Sequence, residues 1–265
     1  MAVEKKRSPI VKDFVEPQEP ITKKDNYYLI EGIPTKYRLY PEGTQIYGRP
    51  LTVKEVRFLA SMTDSNYQFV INEILKNTIK GIDIQELYVA DKVFILFWLR
   101  ANTYKNEGYS TEFTCRHCGR SNHYLFTMDK LRVEYLKDDF VANDDFKLLT
   151  TDDVLRISFP KVRDENKVSQ ILKNKTSVEY DEDILSVAAM VKSINGTEYN
   201  TKYVYDYLLS LNPEDYAYLE TYISDNEIGV SPEVSTNCQH EDCGEESLIE
   251  VRFQSDFFLP KYKSR

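Results

Sequence analysis

This chain has few cysteines, histidines and tryptophans, and it lacks the common sequence motifs of enzymes. Its 265 residues include four cysteines, three histidines and one tryptophan. The sequence contains no Gly-x-x-x-x-Gly-Lys phosphate loop, no His-Glu-x-x-His helix and no Gly-x-Ser-x-Gly elbow. It also lacks the His-x-Glu segment that zinc deaminases use for proton transfer. We therefore expect a protein that is not an enzyme and has no small-molecule substrate.

Long apolar runs and an excess of positive charge are also absent. The longest apolar run, Val93–Leu99, is far shorter than the roughly 20 residues that cross a bilayer, so we expect no membrane span. The formal net charge is −9, whereas binding to phosphates depends on clustered Lys and Arg side chains. Nucleic acid and anionic membranes are therefore not expected as partners.

The four cysteines form two short pairs that lie far apart in the chain. They occur in Cys115-Arg116-His117-Cys118-Gly119 and in Cys238-Gln239-His240-Glu241-Asp242-Cys243-Gly244. Strand-like alternation flanks both pairs, which predicts two β-hairpins whose turns each carry two thiols. The glycine after each second cysteine lets backbone N–H groups fold back toward the sulfurs. This pattern predicts one structural zinc site with four ligands: Cys115, Cys118, Cys238 and Cys243.

Other uses of four cysteines fit the sequence less well. Residues 1–7 are charged and no apolar run follows, so we expect no secretory signal and a reducing cytosol in which disulfides do not persist. A redox Cys-x-x-Cys pair belongs at a strand-to-helix turn, whereas both pairs here lie between strand-like segments. One alternative stays open, because a nearby histidine could replace a cysteine as ligand: His117, His123 or His240.

The rest of the pattern predicts an α+β fold that is mainly helical, with two short β-hairpins joined by the zinc site. Residues 1–26 contain three prolines among mixed charges and predict an extended N-terminal arm. A first helical region is expected over 27–107. The hairpins, 108–128 and 228–254, would form one zinc-knuckle module. The remaining segment, 129–227, predicts a middle strand pair and a second helical region.

Helix signals are clear in the first helical region. Thr52 and Glu55 form a capping box ahead of an apolar-periodic segment. A second helix is expected over about 66–80 and a third over about 83–104, opened by another capping box. Because Val93–Leu99 is apolar on every side, we expect it at the centre of the core.

The second helical region has its own signals. Leu148–Pro160 alternates and predicts a hairpin. Thr176–Glu179 predicts the cap of a helix whose apolar stripe extends to Ile194, with Asn195-Gly196 as its end. Asn212-Pro213 predicts the start of another helix, with a capping residue followed by proline at the first position.

Several segments of the first half resemble a known family. Leu39-Tyr40-Pro41-Glu42-Gly43 is followed by Arg49-Pro50-Leu51-Thr52, and Leu87-Tyr88-Val89-Ala90-Asp91-Lys92-Val93 leads to the first cysteine pair. Together these segments resemble the T-even-type base plate protein family of contractile-tailed bacteriophages, over about 27–253. Members are linked with the baseplate hub and its assembly. The resemblance supplies no catalytic residue, and the zinc ligands depend on this chain's own spacing.

The resemblance implies a structural or assembly component of a phage tail baseplate that binds other baseplate or tail proteins. Such a protein would be in the host cytoplasm during assembly and in the virion tail baseplate afterwards. A resident subunit and an assembly factor that leaves both fit this implication. The 20 tyrosines agree with it, since tyrosine is enriched at protein interfaces.

The alternative function is that of a zinc-ribbon protein that binds nucleic acid or acts in transcription. Its support is limited to three basic residues near the first cysteine pair: Arg116, Arg120 and Lys130. The acidic residues around the second pair count against it, because they repel phosphates: Glu241, Asp242, Glu245 and Glu246.

Overall fold

The computed structural model describes residues 26–104, 108–127, 130–141, 145–174, 180–231, 233–250 and 255–259. The helices among them are α1 (Val53–Leu59), α2 (Tyr67–Thr78), α3 (Val89–Thr103), α4 (Val162–Lys173), α5 (Glu182–Met190), α6 (Thr201–Ser210) and α7 (Pro213–Asp225). The strands are β1 (Tyr28–Leu29), β2 (Tyr47–Gly48), β3 (Ile79–Lys80), β4 (Tyr109–Thr114), β5 (Ser121–Phe126), β6 (Arg132–Glu134), β7 (Asp145–Lys147), β8 (Val154–Ile157), β9 (Val191–Ile194), β10 (Gly229–Ser231), β11 (Glu233–Asn237) and β12 (Glu246–Glu250). The predicted arm over 1–26 lies, except for its last residue, outside the described residues.

The prediction of a mainly helical chain with only two hairpins is wrong. In the described ranges the strands form five small antiparallel sheets: β1-β2-β3, β7-β8-β9, β4-β5, β6-β10 and β11-β12. The strands that sequence reasoning missed have two to four residues, which is too short for a period of two to be visible. Distant partners complete their hydrogen bonds, so the fold is α+β with strand ladders between its helices.

Two of the capping signals in the sequence, at Thr52 and Asn212, are confirmed. The Thr52 side chain accepts from the Glu55 backbone N–H, and the Glu55 carboxylate accepts from the Thr52 N–H at 2.8 Å. The second predicted helix is α2, which ends two residues earlier than expected because Ile79 continues as β3. Asn212 caps α7, and Pro213 occupies its first position.

The first of two hydrophobic clusters surrounds α3, as its apolar sequence predicts. Phe94–Leu99 is buried, and Trp98 lies at the edge of this segment with 6% of its surface exposed. Gly48 in β2 lies against the Trp98 ring, because a Cβ atom there would be 2.7 Å from the ring carbon Cζ3. A larger residue at position 48 would therefore displace the tryptophan.

The predicted third helix is interrupted, which corrects the expectation of one helix over 83–104. Asp83 caps only a 3-10 turn, Ile84–Glu86, and the next two residues are extended. The interruption has a tertiary cause. Val162 N–H donates to Leu87 O, and Val89 N–H donates to Pro160 O, each at 2.9 Å. These two bonds join the start of α3 to the segment that leads into α4.

A buried carboxylate anchors the Ile33–Tyr40 segment on α3. Asp91 has no exposed surface and accepts from Thr35 N–H at 3.0 Å, from Thr35 Oγ1 at 2.7 Å and from Tyr40 Oη at 2.7 Å. Burial raises the pKa of Asp91 to about 6, although the three donors act in the opposite direction. We refer to Asp91, Thr35 and Tyr40 as the Asp91 anchor.

The second hydrophobic cluster joins β7-β8-β9 to α5, α6 and α7. The predicted hairpin over Leu148–Pro160 is present in part: β8 lies within that segment, whereas its partner β7 ends just before it. The prediction of a later helix that extends to Ile194 is wrong. Helix α5 ends at Met190, and the next four residues form β9 on the free edge of β8. Asp181 caps α5, accepting from two backbone N–H groups, whereas the predicted cap over Thr176–Glu179 lies outside the described residues.

Helix α4, which the sequence pattern did not reveal, lies between the two clusters. Val162 is buried in the first cluster and Val168 in the second. Lys92 on α3 is 3% exposed and donates to both carboxylate oxygens of Glu165 on α4, one of them at 2.6 Å. A buried ammonium requires such a partner, so this ion pair fixes α4 against α3.

Candidate metal centre

The hairpins β4–β5 and β11–β12 bring the four cysteines together. The ladder of the first hairpin ends at the pair Thr114–Ser121, and that of the second ends at Asn237–Glu246. Each turn beyond these pairs carries two thiols. All four sulfur atoms lie within 4.8 Å of one another, although they come from two distant segments: Cys115 and Cys118, Cys238 and Cys243.

The distances between sulfurs suit a single four-coordinate ion. Cys115 Sγ lies 3.8 Å from Cys243 Sγ, and Cys118 Sγ lies 3.6 Å from Cys238 Sγ. A disulfide needs about 2.05 Å between its sulfurs, so the four thiols are free. In a tetrahedron with metal–sulfur bonds of about 2.3 Å, the sulfurs are about 3.8 Å apart. Both of these contacts join one hairpin to the other.

The two turns differ in length by two residues but are closed by equivalent backbone hydrogen bonds. Cys115 N–H donates to Arg120 O at 3.0 Å, and Cys238 N–H donates to Glu245 O at 2.9 Å. Each turn is thus closed on itself by its own backbone. Each pair of thiols therefore lies in a turn whose two ends are joined by a backbone hydrogen bond, which helps to place the sulfurs for a tetrahedral site.

Positive φ angles at two glycines turn backbone N–H groups toward the sulfurs. The φ angle is 69° at Gly119 and 60° at Gly244, a region that favours glycine. The N–H groups of Arg120 and Glu245, which follow these glycines, donate toward the Cys118 and Cys243 sulfurs. Those of Cys118 and His117 donate toward Cys115 and lower the pKa of its thiol, whereas burial and the other three thiols raise the pKa of Cys243. Backbone donors at Cys115 therefore stabilise the thiolate, the form that binds a metal.

The histidines lie outside the group of sulfurs. His240 Nε2 is 3.1 Å from Ser121 O, and His123 Nδ1 is 3.6 Å from a carboxylate oxygen of Glu112. The side chain of His117 is exposed. Within the described ranges, the group that could hold a metal consists of cysteines alone, so the geometry favours four thiolates over a mixed site with histidine.

An asparagine and a glutamine join the two hairpins beside the sulfurs. Gln239 N–H donates to Asn122 Oδ1 at 2.7 Å, and Asn122 is 1% exposed. The Gln239 side chain forms two bonds with the backbone of His123. Its Nε2 donates to the carbonyl oxygen at 2.5 Å, and its Oε1 accepts from the N–H at 3.4 Å. We call Asn122 and Gln239 the amide clamp.

Sequence reasoning missed the amide clamp. Asn122 occupies an inward position of β5, where an apolar residue is usual, and that mismatch was the one available signal. Ser247 occupies an inward position of β12, and its Oγ lies 3.9 Å from Cys115 Sγ. Both hairpins thus place a buried polar residue beside the thiols.

The charges around the hairpins are largely matched. Arg120 donates to the carboxylate of Asp242 across the two turns, which holds the pKa of Asp242 below its usual range. Lys130 lies over the ring of Tyr124, with its Nζ 4.8 Å from the ring centre. Of the three basic residues that support nucleic-acid binding, Arg120 and Lys130 therefore have partners within the chain. No specific contact of the described residues favours a phosphate ligand here.

Comparison with known families decides the class of protein. A family model described as T4 bacteriophage base plate protein matches residues 33–259, a range that contains both cysteine hairpins. This chain belongs to that family. The resemblance carried by the first half of the sequence is thereby confirmed. Neither a curated protein nor a solved structure matches the chain.

Membership gives this base plate protein a structural role in the phage tail baseplate, with other tail proteins as its partners. A structural family of this kind suggests a function without catalysis. Among the helices described above, none combines the length and apolarity that a bilayer span requires.

Proposed function

We propose that this base plate protein is a structural or assembly component of a contractile phage tail, held in shape by one structural Zn²⁺. The ion would be held by four thiolates: Cys115, Cys118, Cys238 and Cys243. The convergence of sulfurs from two remote hairpins supports the proposal. With four sulfur ligands no coordination position remains for water, so zinc would act as a cross-link.

The hairpins are placed where such a cross-link has structural value. Along the chain, the first hairpin follows α3 and the second follows α7. The thiols therefore join the end of the central helix to a segment that comes after the helices of the second cluster in the sequence. Both hairpins also pack into the first cluster through inward-facing side chains: Tyr124, Phe126, Val234 and Ile249. We infer that the hairpins β4–β5 and β11–β12 keep the helices of the first and second hydrophobic clusters in a fixed arrangement for binding to neighbouring proteins.

A metal count on the full-length protein tests the zinc site. Native mass spectrometry with elemental analysis is expected to find one zinc ion per chain in the wild type and none in Cys115→Ser. His123→Ala is the matched control and is expected to retain the ion, because its exposed ring lies outside the sulfur group. A protein without bound metal would overturn the site, whereas bound iron would keep the cross-link and overturn zinc.

The place of the protein in the virion is tested separately. We propose that it is in the host cytoplasm during assembly and that it binds other baseplate proteins there. Quantitative mass spectrometry of purified virions distinguishes a resident subunit, present at a fixed copy number per tail, from an assembly factor, present only in infected-cell lysate. If a phage that lacks the gene still formed normal tails, the protein would be neither a required subunit nor a required assembly factor.

A further inference from the structure

A groove of about 780 Å³ lies between α2 and α4, away from the cysteines. Its floor is the Ile79–Gln85 segment, which contains the end of β3 and the start of the 3-10 turn. Its size is within the usual range of ligand sites, but its rim is open: the side chains of Lys76 and Lys167 are 66% and 59% exposed. An open groove between two helices suits a polypeptide segment better than an enclosed small molecule.

The helices present facing stripes along this groove. On α2 the stripe extends from Gln68 to Lys76, and on α4 it extends from Arg163 to Lys173. With a rise of about 1.5 Å per residue, these stripes are about 12 and 15 Å long. An extended chain advances about 3.3 Å per residue, so the groove accommodates about four residues.

Amide side chains line the centre of the groove. Asn72 Nδ2 donates to Asn166 Oδ1, and Asn166 Nδ2 donates to Gln85 Oε1, each at 3.1 Å. This row spans the groove from α2 to the floor and fixes the separation of the helices. Carboxamides carry both donors and acceptors, as the main chain of an extended segment does. The lining therefore matches a peptide backbone.

The charge of the groove is opposite to that of the whole chain. Its lining includes four cationic side chains, Lys76, Arg163, Lys167 and Lys173, and two carboxylates, Glu73 and Asp83. Lys76 pairs with Glu73, and two carboxylates beside the groove are each shared by two cations, so the cations stay in excess: Glu86 by Lys161 and Arg163, and Asp164 by Lys167 and Lys192. The chain as a whole has a formal charge of −9. A local excess of positive charge on an acidic protein favours an acidic ligand and disfavours misplaced basic ones.

One end of the groove is apolar. Phe69 is 63% exposed although it belongs to a helix that packs its other face into the first cluster. The Phe58 ring lies edge-on to it, with the ring centres 6.4 Å apart. Ile82 and Ile84 on the floor are partly buried. An exposed aromatic ring beside polar residues is a typical anchor position in protein interfaces.

We propose that this groove binds an acidic, extended segment of another baseplate protein, with an apolar side chain of that segment against Phe69. The choice of a neighbouring baseplate protein rests on the proposed function. A protein segment is favoured over nucleic acid because amides and two carboxylates interrupt the cations, whereas phosphate backbones require clustered positive charge. The acidic residues would lie near Lys167 and Lys173 on the α4 rim.

Site-specific photocross-linking in phage-producing cells tests this proposal. A phage that encodes Phe69→benzoylphenylalanine in the full-length protein is irradiated, and the cross-linked peptide is sequenced by mass spectrometry. We expect an acid-rich segment of a different baseplate protein. Adding Lys167→Glu and Lys173→Glu is expected to reduce the cross-linked product about tenfold, because two attractive charges become repulsive.

The control variant carries Lys147→Glu and Lys202→Glu, two exposed lysines outside the groove, and matches the change in net charge. It is expected to keep the wild-type yield, and thermal melting of both variants checks that they are folded. A cross-link to residues 1–25, to a second copy of this chain or to nucleic acid would overturn the proposal. An equal loss of cross-linked product in both charge variants, or no cross-linked product in the wild-type background, would also overturn it. None of these outcomes depends on the metal count, so the zinc site and the groove can fail independently.

Discussion

The cysteine site and the Asp91 anchor both connect distant parts of the chain, but they differ in the chemistry that they need. The sulfur contacts join residues that are 120 and 128 positions apart, and they lie in turns near the surface. The Asp91 contacts join residues that are 51 and 56 positions apart, and they lie inside the first hydrophobic cluster. Both connections hold a segment against the region around α3.

The difference lies in how each connection accommodates its negative charge. Four thiolates close together repel one another, so the cysteine site needs a cation to be stable. Asp91 has three neutral donors and no cation within its anchor, and burial raises its pKa instead. The first connection should therefore respond to metal and the second to protons. Four experiments would break or sharpen this contrast.

Removal of the metal is expected to have the largest effect. In a protein treated with chelator, the amides of β4, β5, β11 and β12 should exchange with deuterium faster by on the order of a thousandfold, because metal-binding energy is also folding energy. The amides around Asp91 at the start of α3 should remain protected, since the three hydrogen bonds of the Asp91 anchor involve no hairpin residue. The end of α3 packs against the first hairpin through Phe97 and Phe126 and should lose part of its protection. Hydrogen exchange measured by mass spectrometry on metal-loaded and metal-free protein checks this. Equal loss of amide protection in the hairpins and around Asp91 would show that the two connections are not separable.

The substitution Asp91→Ala is expected to lower the free energy of unfolding by about 3 kcal/mol, because it leaves the buried donors of Thr35 and Tyr40 without an acceptor. Urea denaturation of the metal-loaded protein measures the change. Asp64→Ala removes an exposed carboxylate and should change the stability by less than about 0.5 kcal/mol. Bound zinc should stay at one per chain in both variants. Loss of zinc in Asp91→Ala alone would contradict the independence of the two connections.

The two connections also differ in how far the sequence predicts them. Metal chemistry restricts the ligand type and the spacing within a turn, so four cysteines and two glycines are enough to predict the sulfur group. The Asp91 anchor has no such signature. Its donors, Thr35 and Tyr40, lie more than 50 positions away, and a helix pattern reports only nearby residues. The apolar sequence of α3 predicts that the helix is buried, but not that it carries a buried acid.

The same physical limit explains the errors in the fold. Val191 and Ile194 fit an apolar helix stripe and also fit a strand, and the free edge of β8 decides between them. The extended residues Leu87 and Tyr88 end the expected third helix early because the segment before α4 pairs with them. In both places a tertiary contact overrides the local preference for helix. The spacing of neighbouring residues in the sequence carries no information about such contacts.

Loss of the amide clamp is expected to have an intermediate effect. In Gln239→Leu, the new side chain is similar in shape to glutamine but cannot form hydrogen bonds with the backbone of His123. We expect it to retain one zinc per chain and to lower zinc affinity ten- to hundredfold, as is typical when residues that support metal ligands are lost. Competition with a coloured chelator measures the affinity. His123→Ala is the control, because only its backbone contacts the clamp, and it should bind as the wild type does. Equal affinity of all three proteins would mean that the clamp does not support the site.

The smallest expected effect is a change in stability with pH. The pKa of Asp91 is raised to about 6, so between pH 5 and 7.5 the folded protein binds more protons at this group than the unfolded chain does. This contribution to stability is therefore present at low pH and is lost as the pH rises through 6. When the pH falls from 7.5 to 5, the free energy of unfolding of the wild type should rise by about 1.4 kcal/mol relative to that of Asp91→Asn. Urea denaturation of both metal-saturated proteins at the two pH values measures the gain.

Asp215 provides the matched comparison for this experiment. Like Asp91 it is buried near the start of a helix and accepts from a distant threonine, with Leu149 N–H at 2.7 Å and Thr150 N–H at 2.8 Å as further donors. Burial acts to raise its pKa, but the Thr150 and Leu149 donors outweigh it, and the net shift is downward. Asp215 therefore stays ionised in both states above pH 5, and its stabilising contribution is lost only at lower pH. The difference in stability between wild type and Asp215→Asn should be constant from pH 7.5 to 5. If it changed with pH as much as the difference between wild type and Asp91→Asn does, the donors would not be what separates the two buried acids.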